Sequence, residues 1–336
     1  MSAIRGRIIV IAEAMEPIHH GGEKSGNEVL YRTHPVYVDG LTEEVPIISG
    51  NSLKHLNREG SSRFALAAMG LDEKAALDES EINLLFSGGT LTKSGHSVRM
   101  DEARKVEELL PGLGLHGYAC GNVMQESQVN FGTLELACDA TAHKLKWMVE
   151  KYTRRHLDRF EDPPDEFMAS YFGTNHEPSR RRSMRELMHA DVRADIEGAV
   201  SDDKDKGAGD KKRKSTQMIF GYQCLMPGSV LVGTISLKNG VRERELQAFR
   251  SGFCWPSEGV GPNGGVLLRF GGKGATGHGL CEVRFFGQTA RGIEPAEFVD
   301  TPAIAPESGD EDLANYAAFL QSNTSDAKAA LEDFLG

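Results

Sequence analysis

Cysteine is scarce in this chain of 336 residues: five are scattered at positions 120, 138, 224, 254 and 281, and no two form a CxxC pair. That pattern argues against a disulfide framework or a zinc ribbon and points to reduced thiols in a cytoplasmic protein. Long apolar runs are also missing; none approaches the ~20 residues of a membrane-spanning helix, so no membrane contact is expected. The first residues, Met1-Ser2-Ala3-Ile4-Arg5, run straight into a strand-like segment and not into a signal-peptide pattern. No segment repeats at a fixed period. The adjacent His19-His20 is poor spacing for one metal, no third ligand stands near it, and the pair reads as surface or packing histidines. Ser61-Ser62 beside His55 carries no recognisable triad. The expectation is therefore no metal, no cofactor and no catalytic set.

An excess of basic charge is absent too: the net charge is −11, which on its face argues against nucleic acid. Its distribution reverses that argument. From Glu294 onward, ten Asp/Glu against the single Lys328 give −9, so residues 1–293 carry only −2. Within them lie basic clusters, Arg180-Arg181-Arg182 with Arg185, and Lys211-Lys212-Arg213-Lys214. The local patch, not the total, sets the field in a binding groove, although a single such cluster can equally be a solvated face.

The chain has the length for one large domain with insertions or two modest ones. Arg5 to Met15 reads as a buried strand, Glu16 to Gly26 as a loop, and Ser52 to Met69 as a helix capped by Ser49 or Asn51. A second helix ends at Ser87-Gly88-Gly89, and Thr141 to Phe160 reads as a basic helix. Strands are expected at 129–137, 218–225, 229–238, 265–270 and 280–288, with a helix at 242–252. The polar stretch 173–216, ending in SDDKDKGAGDKKRKS, reads as an excursion with a mobile tip. The order fits an α+β fold with helices on one face of a largely antiparallel sheet. Two acidic helices, 310–321 and 326–335, close the chain; 294–336 is read as an acidic helical tail.

Two distant stretches carry the chemistry. Ile48-Ser49-Gly50-Asn51-Ser52-Leu53-Lys54-His55-Leu56-Asn57-Arg58 is a turn opening a basic helix. Free N–H groups and the macrodipole favour an anion there, and Lys54 and Arg58, four apart, are expected to project together. Arg269-Phe270-Gly271-Gly272-Lys273-Gly274-Ala275-Thr276-Gly277-His278-Gly279 is a bulk-free loop. Its letters match G-x-G-x-x-G, but a strand, Leu280 to Phe286, follows where a dinucleotide fingerprint needs a helix. No Lys-Ser/Thr follows Gly277, so it is not a Walker loop. What remains is a bend that lets another backbone approach, with one lysine and one histidine. In the excursion, about 178–221, basic residues alternate with Met184, Leu187 and Met188, a pattern suited to wedging between bases. The ordinary readings are a capped amphipathic helix, a long hairpin loop and a disordered insertion.

Together these features resemble the RAMP superfamily of CRISPR-associated proteins over most of residues 5–290. The glycine loop 271–279 is similar to that family's glycine-rich loop. Val45 to Arg58 is similar to the proline–aliphatic–Gly–Ser–Leu–Lys/Arg–Gly–Arg motif of its backbone subunits, and Leu84 to Gly89 to its leucine–phenylalanine–Gly step. The subtype it most resembles is the backbone subunit of type IV effector complexes. The resemblance implies a ferredoxin-like (RRM-like) palm over 1–293 with an inserted thumb hairpin at about 178–221 and helical insertions. It implies a subunit that stacks head to tail on CRISPR RNA and displays the guide for pairing with a target, DNA rather than RNA, beside other effector subunits. Asn51, Ser52, Lys54, His55, Arg58, Arg180, Arg181, Arg182, Met184, Arg185, Gly272, Lys273, Gly274 and His278 would then contact RNA.

Two departures matter. His55 stands where the family motif has Gly. RNA-cleaving type III relatives place an Asp ahead of a Pro-Val step; here Tyr31-Arg32-Thr33-His34 precedes Pro35-Val36. The resemblance therefore implies no target cleavage. The alternative is a type III-like backbone subunit that cuts target RNA with metal help, through Asp39 or Glu28.

Overall fold

Five consecutive apolar positions, Ile8 to Ala12, mark the first strand, β1 (Arg7–Ala14), and it is buried on both faces. Ile8, Val10 and Ala12 point into one hydrophobic cluster, Ile9 and Ile11 into another. This is the period of two expected of a strand, with neither face left to water. The computed structural model describes residues 7–72, 76–89, 98–153, 158–175, 218–289, 292–295 and 311–335. After β1 come β2 (Gly21–Ser25), β3 (Glu28–Tyr31), β4 (Thr33–Val38) and β5 (Leu41–Ile48), then α1 (Gly50–Ala68), α2 (Glu79–Ser87), α3 (Met100–Leu109) and α4 (Pro111–His116). Short strands β6 (Tyr118–Cys120), β7 (Val123–Gln125), β8 (Val129–Phe131) and β9 (Leu134–Leu136) lead to α5 (Asp139–Thr153). Next are β10 (Met168–Asn175), β11 (Met218–Leu225), β12 (Val230–Leu237) and α6 (Glu243–Cys254). The chain closes with β13 (Val266–Arg269), β14 (Leu280–Thr289), β15 (Gly292–Pro295), α7 (Glu311–Ser322) and α8 (Thr324–Leu335).

The fold is α+β. A nine-stranded sheet runs β13-β14-β1-β12-β9-β5-β4, with β15 on β14 and β8 on β12, and every pairing is antiparallel. A second sheet, β10-β11-β3-β2, is antiparallel except for β11 beside β3. Helices α1 and α6 cross on one face of the large sheet. There Gly60 and Gly252 leave room for backbone contact: a Cβ on Gly60 would lie 2.3 Å from the Gly252 carbonyl oxygen. Asn57 Nδ2 donates to the Phe249 carbonyl across the same crossing at 2.9 Å.

Two expectations need correction. Helices cover both faces of the large sheet, not one: Leu145, Met148 and Val149 of α5 pack on Ile9, Ile11, Val230 and Val232, on the side away from α1. The doubly apolar β1 demands this second cover. Residues 21–25, read as a loop for their glycines, form β2, because pairing with β3 outweighs weak local propensity. The two acidic helices expected at the end of the chain form as α7 and α8 and pack on the core. Tyr316, Leu320, Leu331 and Phe334 of α7 and α8 are buried in the main core, and Arg250 pairs with Asp312 at 2.7 Å. The five cysteines form no disulfide. Among the described residues no helix is long and apolar enough to cross a membrane.

Candidate nucleic-acid interface

Ser49 caps α1: its Oγ accepts from the Ser52 amide at 3.3 Å and lies 3.0 Å from the Ser52 hydroxyl. The Ser49 amide donates to His20 Nε2 at 3.3 Å. One residue back, the His19 carbonyl accepts from the Gly272 amide at 2.8 Å, and the Pro17 carbonyl accepts from Gly279 at 2.9 Å. The dipeptide His19-His20 therefore clamps the helix cap on one side and the glycine loop on the other. The two stretches, more than 200 residues apart in sequence, meet through it. Gly271 allows the contact: at φ +76 it sits where L-residues are strained, and a Cβ there would lie 2.2 Å from the His19 carbonyl oxygen.

Both histidines are buried and serve packing. His19 Nδ1 lies 2.9 Å from the Gln223 carbonyl, and Gln223 Oε1 accepts from the Tyr31 amide at 3.0 Å, which ties β11 to the loop. Burial, reinforced by the charges of Arg32 and His19, lowers the His20 pKa to about 4. A neutral ring is what an Nε2 acceptor for Ser49 requires. Among the described residues no His, Cys, Asp or Glu cluster is set to hold a metal.

The expected cationic pair separates. Lys54 is partly exposed in the first turn, its pKa lowered by desolvation and by Arg58. Arg58 turns inward: it is buried, and Nη2 donates to the carbonyls of His116 at 2.7 Å and Gly117 at 2.5 Å. The reading of Arg58 as a phosphate contact beside Lys54 is thus corrected. Those carbonyls close α4 and need a donor. Burial brings the Arg58 pKa down to about 10. His55 is exposed and pairs with Glu59 at 3.6 Å, Asn51 is exposed, and Ser52 is half-buried beside the cap.

In the loop, Gly272 is exposed and Gly274 half-buried, while Lys273 takes a left-handed φ of +66. This conformation sets its ammonium 4.0 Å from the Tyr222 ring centroid and 4.9 Å from that of Phe220. His278 is buried against Tyr171 and Tyr222, with the Tyr222 hydroxyl 3.4 Å from its Nε2. Arg269 does not face a ligand; it is held by Glu258 and Glu16 and bonds the His278 carbonyl, so it braces the loop's two ends. Arg180, Arg181, Arg182, Met184 and Arg185 lie outside the described residues, as does nearly all of the excursion at 178–221. The strands entering and leaving it, β10 and β11, pair antiparallel from Met168↔Leu225 to Asn175↔Met218. Sequence reading passed over Tyr171, Phe220 and Tyr222. Their signal was the period of two in Phe220-x-Tyr222 on a strand whose partner also carries aromatics.

No protein-family model matches the chain, and no curated protein matches it. Among solved structures it is similar to a chain described as "Type IV-B CRISPR Complex", at 17% identity and a TM-score of 0.49, covering 91% of this chain and 100% of that one. It is also similar to Csc2 of Thermofilum pendens, at 13% identity and a TM-score of 0.37, covering 96% of this chain and 77% of that one.

Proposed function

We propose that this chain is a non-catalytic backbone subunit of a CRISPR ribonucleoprotein effector complex, of the RAMP superfamily, that holds guide RNA by its sugar-phosphate chain and stacks along it in copies. The observation that carries the reading is the His19-His20 clamp: it brings a helix cap and a glycine bend, two phosphate-type places, to one locality. Strand order supports it. Taken as β1, β9, β12 and β14, the central strands lie in the order fourth, first, third, second, with α1 after the first and α6 after the third. This order supports the reading of the palm as ferredoxin-like, with two split βαβ units. The paired β10 and β11 are the natural base of the thumb.

The cleaving alternative would use Asp39 or Glu28. Asp39 occupies the tip of the β4–β5 hairpin at φ +50, and six paired positions separate it from the base, about 20 Å of strand. Glu28 accepts from the Ser170 hydroxyl at 3.1 Å.

The test is purification at physiological salt, read by the absorbance ratio at 260 and 280 nm and by sedimentation. Discrete RNA in a large particle is expected; a nucleic-acid-free monomer overturns the reading. Replacing Lys54 and Lys273 with alanine should weaken binding of all sequences alike and flatten the salt dependence by about 0.7 in slope per lost phosphate contact. Regularly spaced cuts in complementary RNA with magnesium, lost on Asp39→Ala, would instead establish the cleaving alternative.

A further inference from the structure

The second sheet carries an arrangement that backbone gripping does not use. Tyr171 and Tyr222 are directly opposite across the β10–β11 ladder, with rings near parallel at 14° and centroids 5.7 Å apart. Phe220, two residues before Tyr222 and so on the same face, is also near parallel to it, at 19° and 6.2 Å. Glycine makes the flatness possible: opposite Phe220 stands Gly173, where a Cβ would lie 2.7 Å from the Phe220 ring. All three rings are only partly buried, and all are absent from the two hydrophobic clusters of the core. Three near-parallel aromatics on one face, kept half in water, make an apolar patch of the kind that marks a binding site.

What covers two of them now is Lys273, whose ammonium lies over Tyr222 and Phe220. A cation on a ring face is worth little at an exposed site, and it is readily exchanged for a phosphate. The edges of the seat are held from two sides. His278 is tilted against Tyr222, and His19, from the clamp that joins loop and cap, meets it edge-on at 5.1 Å. The flat faces thus adjoin the glycine bend, where a backbone can come close.

We propose that Tyr171, Phe220 and Tyr222 form a stacking seat for unpaired bases of a single-stranded nucleic acid, with Lys273 as a lid that swings from the rings to the adjoining phosphate. Paired bases have no free face to offer, so the ligand is single-stranded. Stacking ignores base identity, since every base has a π-face, so the seat adds affinity without adding sequence preference. This rests on the nucleic-acid reading above and adds to it a contact with bases.

The test uses the full chain freed of nucleic acid at high salt. Fluorescence anisotropy would measure binding of a short fluorescein-labelled single-stranded RNA, the DNA of the same sequence, and an abasic strand of equal length. RNA is expected to bind, the abasic strand to bind about tenfold more weakly or worse, and Tyr222→Ala to erase most of that difference. Tyr222→Phe keeps the ring and should behave as the parent chain. An equal base dependence in DNA is expected, because the seat reads no sugar; base dependence confined to RNA assigns the discrimination to the 2′-hydroxyl and overturns the seat. If the parent chain binds RNA and abasic strand equally, the seat is wrong while the backbone reading stands. If it binds no strand at all, both fall. Should Tyr222→Ala fail to fold, photo-crosslinking of 5-bromouridine RNA to the parent chain decides: adducts on Tyr171, Phe220 or Tyr222 support the seat, and adducts confined to other residues overturn it.

Discussion

Arg58 and Lys54 show how two cations of one helix divide their work. Arg58 supplies a donor to two buried carbonyls, so Arg58→Ala leaves both unpaired. A loss of about 3 kcal/mol in urea unfolding is expected, and Arg58→Lys should not restore it, because the shorter lysine stem does not carry its amine to the place where Nη2 bonds both oxygens. Lys54→Ala should leave stability within about 0.5 kcal/mol. A stable Arg58→Ala chain would return Arg58 to the list of surface contacts. His20 sets a pH dependence. Its folded pKa, about 4, lies below the ordinary unfolded value of about 6.5, so the unfolded chain binds more protons between them. Stability is therefore full above about pH 6.5 and declines as pH falls toward 4, by at most about 3 kcal/mol from this ring. His116, buried and held well below its usual pKa by burial first and then by Arg58 and Lys54, adds to the same trend. His20→Gln should flatten the fall in denaturant midpoint between pH 7 and pH 4.5; an unchanged slope would remove His20 from the account.

At the scale of elements, the decisive packing is α1 against α6. By helix propensity, Gly60→Ala should stabilise α1 by about 1 kcal/mol. The crossing reverses the sign. The new Cβ would press on the Gly252 carbonyl at 2.3 Å, and Gly252→Ala would press on Asn57 O at the same distance. Net destabilisation of about 1–3 kcal/mol is expected for either, with the midpoint lowered and the slope unchanged. A stabilised Gly60→Ala would mean that the two helices have slack. The start of α1 was legible from Ser49, and the end of α2 from Gly88, which is left-handed at φ +88. Helices α3 and α4 were not, because a short helix with two glycines, Pro111 to His116, holds only where Arg58 and the core receive it.

For the whole molecule, the C-terminal helices are part of the core, whatever their acidity. Tyr316 lies parallel to Phe64 at 2° and 5.7 Å, and Phe334 meets Tyr118 edge-on at 5.4 Å. Five large apolar side chains, Leu313, Tyr316, Leu320, Leu331 and Phe334, would leave the core with residues 311–336. Each contributes about 1.5–3 kcal/mol, which together matches the whole stability of an ordinary domain. A chain ending at residue 310 should therefore lose its cooperative thermal transition and bind a hydrophobic dye. An unshifted melting curve would make 311–336 a true appendage.

The sequence by itself determined the α+β class, the doubly buried first strand, the cap of α1 and the bulk-free bend. Each is a local matter of side-chain period, capping oxygen or missing Cβ. Only the tertiary structure decided that the cap and the bend share one histidine pair, that Arg58 faces inward, and that Phe220 and Tyr222 lie beneath Lys273. Those outcomes depend on which distant strands pair and in what register, and a shift of one residue would turn Tyr222 to the other face of its sheet.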